Sequence, residues 1–264
     1  MDVYVISPVS NLEPMKLGNR IFVLAHLWVQ FPEYRAFILD RKEEGYWITL
    51  DNSAAERALV TEDILIEICR ELMPDEVIAP DVLFDMRQTM QNARKFRDRM
   101  EEEGLLGAID IFFCPQGSSK QDWLTAYKWG LQQDWINVIG FSKIAVPNAF
   151  LENYTDDQGI KEARHMAYDY LKEQDLLIKP IHCLGQGDPT EFAYYDHPMM
   201  RSTDSVYPVF AASLGQDFSV DHTTRTPTPH NFLETFDMSN VDLELVKSNV
   251  AFLFNQATKL EWKK

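Results

Sequence analysis

A chain of 264 residues with 45% hydrophobic content can bury a sizeable core and reads as one domain over residues 1–264, a common length for α/β barrels. Its formal charge of −16 speaks against a general duplex-binding surface, which needs lysines and arginines to displace condensed counterions, and favours an acidic enzyme acting on a small molecule. No run of about 18 apolar residues calls for a membrane span. The segment MDVYVISPVSNLEP lacks the basic and then apolar order of a signal peptide, so the cytoplasm is the expected location.

Strand-like and helix-like segments alternate along the chain. NRIFVLAHL reads as a strand, FPEYRAFILDRKEE as a helix and YWITLD as a second strand. TEDILIEICRELM is amphipathic, with Ile64, Ile66, Ile68 and Leu72 on or near one stripe. EVIAP is a short buried strand, and MRQTMQNARKFRDRMEEEG a polar-faced helix that Asp85 caps and Gly104 ends. IDIFFCP follows, then a helix over SSKQDWLTAYKWGLQ with Ser118 as N-cap and Gln121 completing a capping box. INVIGF, a helix around KEARHMAYDYLKEQ and the strand PIHCLG come next. In DPTEFAYYD, Asp188 caps a helix, Pro189 takes its first turn and Glu191 answers the cap. DLELVKSNVAFLFNQATKLEW is a long closing helix.

Buried strands alternating with helices imply parallel pairing. Six clear strands, with two weaker ones near SVYPVFA and FSV, predict a single-domain (β/α)8 TIM-type barrel. Segments 142–160 and 213–240 read as long loop insertions that cover the mouth. Cys69, Cys114 and Cys183 lie in apolar runs without ligand spacing and read as buried free thiols.

The strands stop on residues that a packed core does not require: Asp51, Asp81, Gln116 with Gly117, and Gly140. In a parallel barrel such ends face the mouth. Asp51, in LDNSAAE, suits general acid/base work, or else it or Asn52 caps the next turn. Asp85 fits the cap of the following helix, which leaves Asp81 without a structural task and suits it to accept hydrogen bonds from the N–H edge of a purine-like base. Gln116 presents a donor and an acceptor on one planar amide, Gly117 permits a tight turn behind it, and Gly140 lets backbone N–H groups approach a flat ligand. GQGDP is a tight turn rather than a phosphate cradle, because the Asp188 carboxylate repels an anion there; Leu184 supplies an apolar wall. Asp204 stands among Ser202, Thr203 and Ser205 and is either a nucleophile for an anomeric carbon or part of an Asx-turn. The histidines make no HExxH-like pattern, and no metal is expected. Arg87, Arg94, Lys95, Arg97 and Arg99 cluster in one helix, and Arg201 and Arg225 lie in loop-like segments, so a local basic patch on the acidic body is an open reading.

Taken in order, LDNSAAE, Asp81, PQG, VIGF, HCLGQGDPTEF and STDS resemble the tRNA-guanine transglycosylase superfamily over residues 45–210, and most of all its shorter phage and bacterial members that place 7-deazaguanines in DNA. The resemblance implies a (β/α)8 barrel without the zinc subdomain, whose cysteines have no counterpart after Cys183. It implies Asp204 as the nucleophile at C1′, Asp51 as general acid/base, and Asp81, Gln116, Gly117 and Gly140 at the base edge with Leu184 on its face. Asn52 and Ser53 complete the base-binding set. The expected partners are DNA, or alternatively tRNA, and a free preQ0-like base, with a partner protein or a basic patch presenting the DNA; no cofactor is expected. Where the family places an aromatic stacking residue this chain has Ala55. Two other readings stand beside this one: a nucleoside hydrolase or deoxyribosyltransferase acting on small molecules, and a binding subunit without turnover.

Overall fold

Eight short strands whose inward positions are mostly apolar or aromatic associate side by side, all parallel, in the computed structural model of the protein, which describes residues 1–55, 60–151 and 157–257. They are β1 (Asp2–Val5), β2 (Ile21–Leu24), β3 (Ile48–Asp51), β4 (Glu76–Ile78), β5 (Asp110–Phe113), β6 (Ile136–Ser142), β7 (Ile181–Leu184) and β8 (Met200–Ser205). The ladder runs β1-β8-β7-β6-β5-β4-β3-β2, and its two ends are joined by a bridge between Tyr4 and Arg20 and by bonds of Asn19 to Val3 and of Arg20 to Asp2. The result is a nearly closed (β/α)8 barrel, as expected.

Ten helices are described: α1 (Ala25–Gln30), α2 (Pro32–Glu43), α3 (Glu62–Leu72), α4 (Met86–Glu102), α5 (Lys120–Gln132), α6 (Ala145–Phe150), α7 (Asp157–Glu173), α8 (Tyr207–Ser213), α9 (Phe232–Thr235) and α10 (Leu243–Ala257). Local chemistry sets several boundaries. Thr61 accepts from Ile64 N–H to begin α3, and left-handed Met73 (φ 46°) ends it. Asp85 accepts from Gln88 N–H at 2.9 Å to begin α4, as its position predicts. None of the described helices is long and apolar enough to cross a membrane.

The structure corrects several boundaries. The strand predicted over NRIFVLAHL stops at Leu24, and its second half is α1. Neither SVYPVFA nor FSV is a strand: Tyr207–Ser213 is α8, and the missing two strands are DVYV and MRSTDS. The cap of α5 is Ser119, which accepts from Asp122 N–H, while Ser118 Oγ bonds the Asp122 carboxylate. DPTEFAYYD forms only a 3-10 turn over Glu191–Tyr194. Glu191 does not answer a cap; it is buried against the guanidinium of Arg164, which is fully buried itself. The insertion at 142–160 contains α6 and the start of α7, and that at 213–240 contains α9 and a 3-10 turn. The closing helix is described to Ala257, and the remainder of its predicted span lies outside the described residues.

Inside the barrel an aromatic layer surrounds His182. Its imidazole stacks on Phe22 (5.5 Å, 8° between planes) and meets Tyr4 and Phe112 edge-on. Nearer the amino ends of the strands, Glu76 is fully buried and its carboxylate is gripped by the Arg201 guanidinium through two nitrogens. Thr49 donates to it at 3.0 Å and Tyr4 contacts Thr49 at 3.1 Å. A satellite core holds α10 against β1 and α8. There the buried Asn249 accepts from Phe218 N–H and donates to the carbonyl of Gln216, which fastens the segment running on to the barrel mouth.

Candidate active site

The carboxyl ends of the strands surround a cavity of about 420 Å³, within the range of small-molecule sites. Of the residues singled out in the sequence, Asp51, Asn52, Asp81, Gln116, Leu184 and Asp204 line it. Ser53, Gly117 and Gly140 do not.

Asp204 is part of β8, not of an Asx-turn, and is 5% exposed. Its hydroxyl neighbours do not solvate the carboxylate. Thr203 Oγ1 donates to the Cys183 carbonyl and Ser205 Oγ to the Gln186 carbonyl. Instead Oδ1 accepts from Gly185 N–H at 2.9 Å and from His182 Nε2 at 3.0 Å. Because a carboxylate only accepts, the ring carries its hydrogen on Nε2, and Nδ1 accepts from Ser202 Oγ at 2.8 Å. Ser202 Oγ in turn accepts from Arg201 Nε at 3.1 Å. Burial pushes the His182 pKa below the ordinary histidine value, although the Asp204 bond and charge oppose it. A neutral ring thus links the Glu76–Arg201 pair to the mouth, and Oδ2 of Asp204 is left unengaged among the described residues. The left-handed Gly185 (φ 68°) turns its N–H toward the carboxylate.

On the other side, Asp51 ends β3, and its Oδ2 accepts from Ser53 N–H at 2.7 Å. Asn52 Oδ1 accepts from Ala54 N–H, and its amide donates to the Ala79 carbonyl (2.9 Å) and to Asp81 Oδ1 (2.7 Å). Asp81 and Gln116 lie beyond the ends of β4 and β5, joined by a bond from Gln116 Nε2 to Asp81 Oδ2. One lone pair of the Gln116 carbonyl oxygen accepts from Phe84 N–H at 3.2 Å, and Nε2, which donates to Asp81, also lies 3.8 Å from Cys114 Sγ, so toward a ligand the amide keeps one lone pair and at most one N–H. Burial, and then the charges of Asp81 and Asp51, push the Cys114 thiol far up, so it is neutral beside them. All three cysteines are free and buried.

The two glycines act through space. Gly140 lies within β6 rather than at its end, so its backbone belongs to the sheet. A Cβ there would sit 2.7 Å from the Phe112 ring and 3.0 Å from Leu184, so the missing side chain seats the cavity wall. A Cβ on Gly117 would lie 2.4 Å from Trp123 N, which makes this glycine a close-packing point at the start of α5. Leu184 is held by the Arg164 guanidinium, which donates to its carbonyl. Ala55 lines the cavity, whose aromatic walls are Phe22, Tyr207 and Phe232.

Sequence reasoning did not find His26, Glu234, Gln186 or Lys143, all in the wall, nor His182 behind Asp204. His26 sat inside an apparent strand and His182 inside an apolar run. The candidate basic patch is partly neutralised: Arg97 pairs with Asp98 and Glu101, and Arg99 with Glu103. Arg201 is part of β8 and pairs with Glu76, and Arg225 pairs with Asp188 at 3.2 Å. Among the described residues no three histidine, cysteine or acidic side chains gather as a metal would require. Compared with known proteins, the chain matches no family model and no curated protein.

Proposed function

We propose that the protein is a base-exchange pentosyltransferase that replaces guanine in a nucleic acid, DNA before tRNA, with a 7-deazaguanine through a covalent aspartyl intermediate. The convergence of Asp51 and Asp204 on one cavity with the Asp81–Gln116 pair carries this reading. Guanine presents O6 as an acceptor beside N1–H and N2–H as donors. The Gln116 N–H suits the first and the Asp81 carboxylate the other two, and 7-deazaguanine has the same edge.

Asp204 Oδ2 attacks C1′ and the C1′–N9 bond breaks, while protonated Asp51 supplies the proton that the departing guanine takes up. The incoming base then gives its N9 proton to Asp51, its N9 bonds to C1′, and the ester bond to Asp204 breaks. Two displacements retain the anomeric configuration, as in retaining glycosidases. A target base inside a duplex must first be flipped out.

The test supplies labelled guanine or 7-deazaguanine with DNA, tRNA and free nucleosides. Label in a polymer, with an adduct on the wild type that Asp204→Asn abolishes, supports the assignment; an Asp204→Asn protein with full exchange sinks it. A second reading, nucleoside hydrolysis or deoxyribosyl transfer on free nucleosides, is favoured by the −16 charge and the ion-paired arginines of α4. It wins if only nucleosides react.

A further inference from the structure

Three polar atoms in side chains that line the cavity are buried without a hydrogen-bond partner among the described residues: His26 Nε2, Glu234 Oε2 and Gln186 Oε1. Buried polar atoms are nearly always paired. The first belongs to a side chain only 4% exposed and lies 3.5 Å from Glu234 Oε1, beyond good N–H···O reach. Ser53 fixes this ring. Its Oγ accepts from His26 N–H at 3.2 Å and meets Nδ1 at 2.9 Å. Ser53 Oγ has one hydroxyl proton to give to Nδ1, and the Glu234 carboxylate 3.5 Å from Nε2 favours the tautomer whose hydrogen sits there, since a bare ring nitrogen would face an acceptor. Ser53 does this from a left-handed backbone (φ 59°), a conformation that costs a serine about 1–3 kcal/mol and gathers at functional sites.

A ligand group that satisfies both sides must accept from Nε2–H and donate to a carboxylate. A hydroxyl does both. A phosphate offers only acceptors and would meet the charge of Glu234 in a wall that also carries Asp51, Asp81 and Asp204. An ammonium offers no acceptor to the histidine. We infer that His26 and Glu234 form a subsite for a neutral sugar hydroxyl, in a sector of the rim after β2 that is separate from the base edge after β4 and β5. The inference rests on the cavity being a nucleoside site, and it names the part of the nucleoside that this sector holds. The hydroxyl is the 2′-OH of a ribose, which an internal tRNA nucleotide keeps, or a free 3′- or 5′-OH of a nucleoside or strand end; an internal DNA nucleotide has none of these and leaves the subsite unused.

Calorimetry with guanine, guanosine and 2′-deoxyguanosine tests it on the wild type, Glu234→Ala and His26→Gln. Glu234→Ala weakens guanosine about tenfold or more, the loss of one charge-assisted hydrogen bond, and leaves guanine unchanged, which also reports an intact fold. His26→Gln, which keeps an N–H near the Nε2 position, retains most guanosine affinity. A loss for guanosine alone assigns the 2′-OH, and an equal loss for 2′-deoxyguanosine assigns the 3′- or 5′-OH. Unchanged guanosine affinity in Glu234→Ala, equal weakening of guanine and guanosine, or a wild type that binds no guanosine overturns the subsite. Exchange assays on the same proteins separate the claims. Guanosine binding without exchange defeats the reaction alone, and exchange with an unaltered Glu234→Ala affinity defeats the subsite alone.

Discussion

Replacing His182 by phenylalanine isolates what the buried ring contributes to Asp204. The substituted ring keeps the contacts with Phe22, Tyr4 and Phe112 but removes one of the two donors to Oδ1, leaving Gly185 N–H. A hydrogen bond to a charged group is worth about 1.5–3 kcal/mol. That bond also stabilises the resting carboxylate, so only its orienting share enters the barrier; if this share is about 1.4 kcal/mol, formation of the Asp204 adduct should slow roughly tenfold. The proposed base edge, Asp81 and Gln116, is untouched, so KM for the free base should hold while kcat falls. Stability should drop by about 2–4 kcal/mol, since the buried Asp204 carboxylate loses a donor and Ser202 loses an acceptor while Arg201 still donates to it. The assay is single-turnover adduct formation by mass spectrometry beside steady-state exchange. His182→Gln, whose amide N–H reaches close to the Nε2 position, should recover most of the rate. A phenylalanine variant at full rate, or one that loses activity through KM, would refute the positioning role.

Three further outcomes follow from the same interior. Gly140→Ala forces a Cβ to within 2.7 Å of the Phe112 ring and 3.0 Å of Leu184; overpacking of about 1–3 kcal/mol should lower the melting temperature and weaken guanine binding in calorimetry. Arg201→Met strands the buried Glu76 carboxylate and should cost about 3–5 kcal/mol in urea unfolding, whereas Arg201→Met with Glu76→Leu should recover most of it; additive losses would refute the coupling. Burial lowers the His182 pKa, so below about pH 6.5 the unfolded chain binds a proton that the native protein does not. Stability from this group should be complete above the ordinary histidine value and fall as pH drops through it, by at most about 1.4 kcal/mol per pH unit. The urea midpoint between pH 7.5 and pH 5 should therefore change less in His182→Phe than in the wild type.

The middle of the barrel was legible because β3 to β7 are short apolar runs closed by polar residues, and helices with clear stripes or caps separate them. The first and last strands were not. β8 reads MRSTDS, and its polar residues serve a buried network instead of a hydrophobic face: Arg201 pairs with Glu76, Ser202 with His182. No apolar period survives in such a strand, so the signal slid onto the apolar helix that follows. Asp51 and Asp81 were found because each ends an apolar run, and Asp204 because it stands among hydroxyl residues in a motif of the resemblance. His26 and Glu234 interrupt no pattern; they meet only because α9 folds over the rim, a long-range contact that leaves no local trace. Gln116 was found by its residue type at a strand end, but the Phe84 N–H that takes one lone pair of its carbonyl comes from another loop and was not foreseen.

Between β1 and β2 one bridge, Tyr4 to Arg20, with bonds of Asn19 and Arg20 to Asp2 and Val3 near the strand starts, stands where the other pairs have a ladder, and this divides the rim mechanically. Asp51, Asp81, Gln116 and Leu184 stand on a run of strands paired without a break, whereas Ile6 and His26 flank the weakly joined edge. Amide exchange should be slowest beneath the first group and fastest along the second. The rigid sector suits a flat, invariant heterocycle. The compliant one can widen to admit a chain whose shape varies.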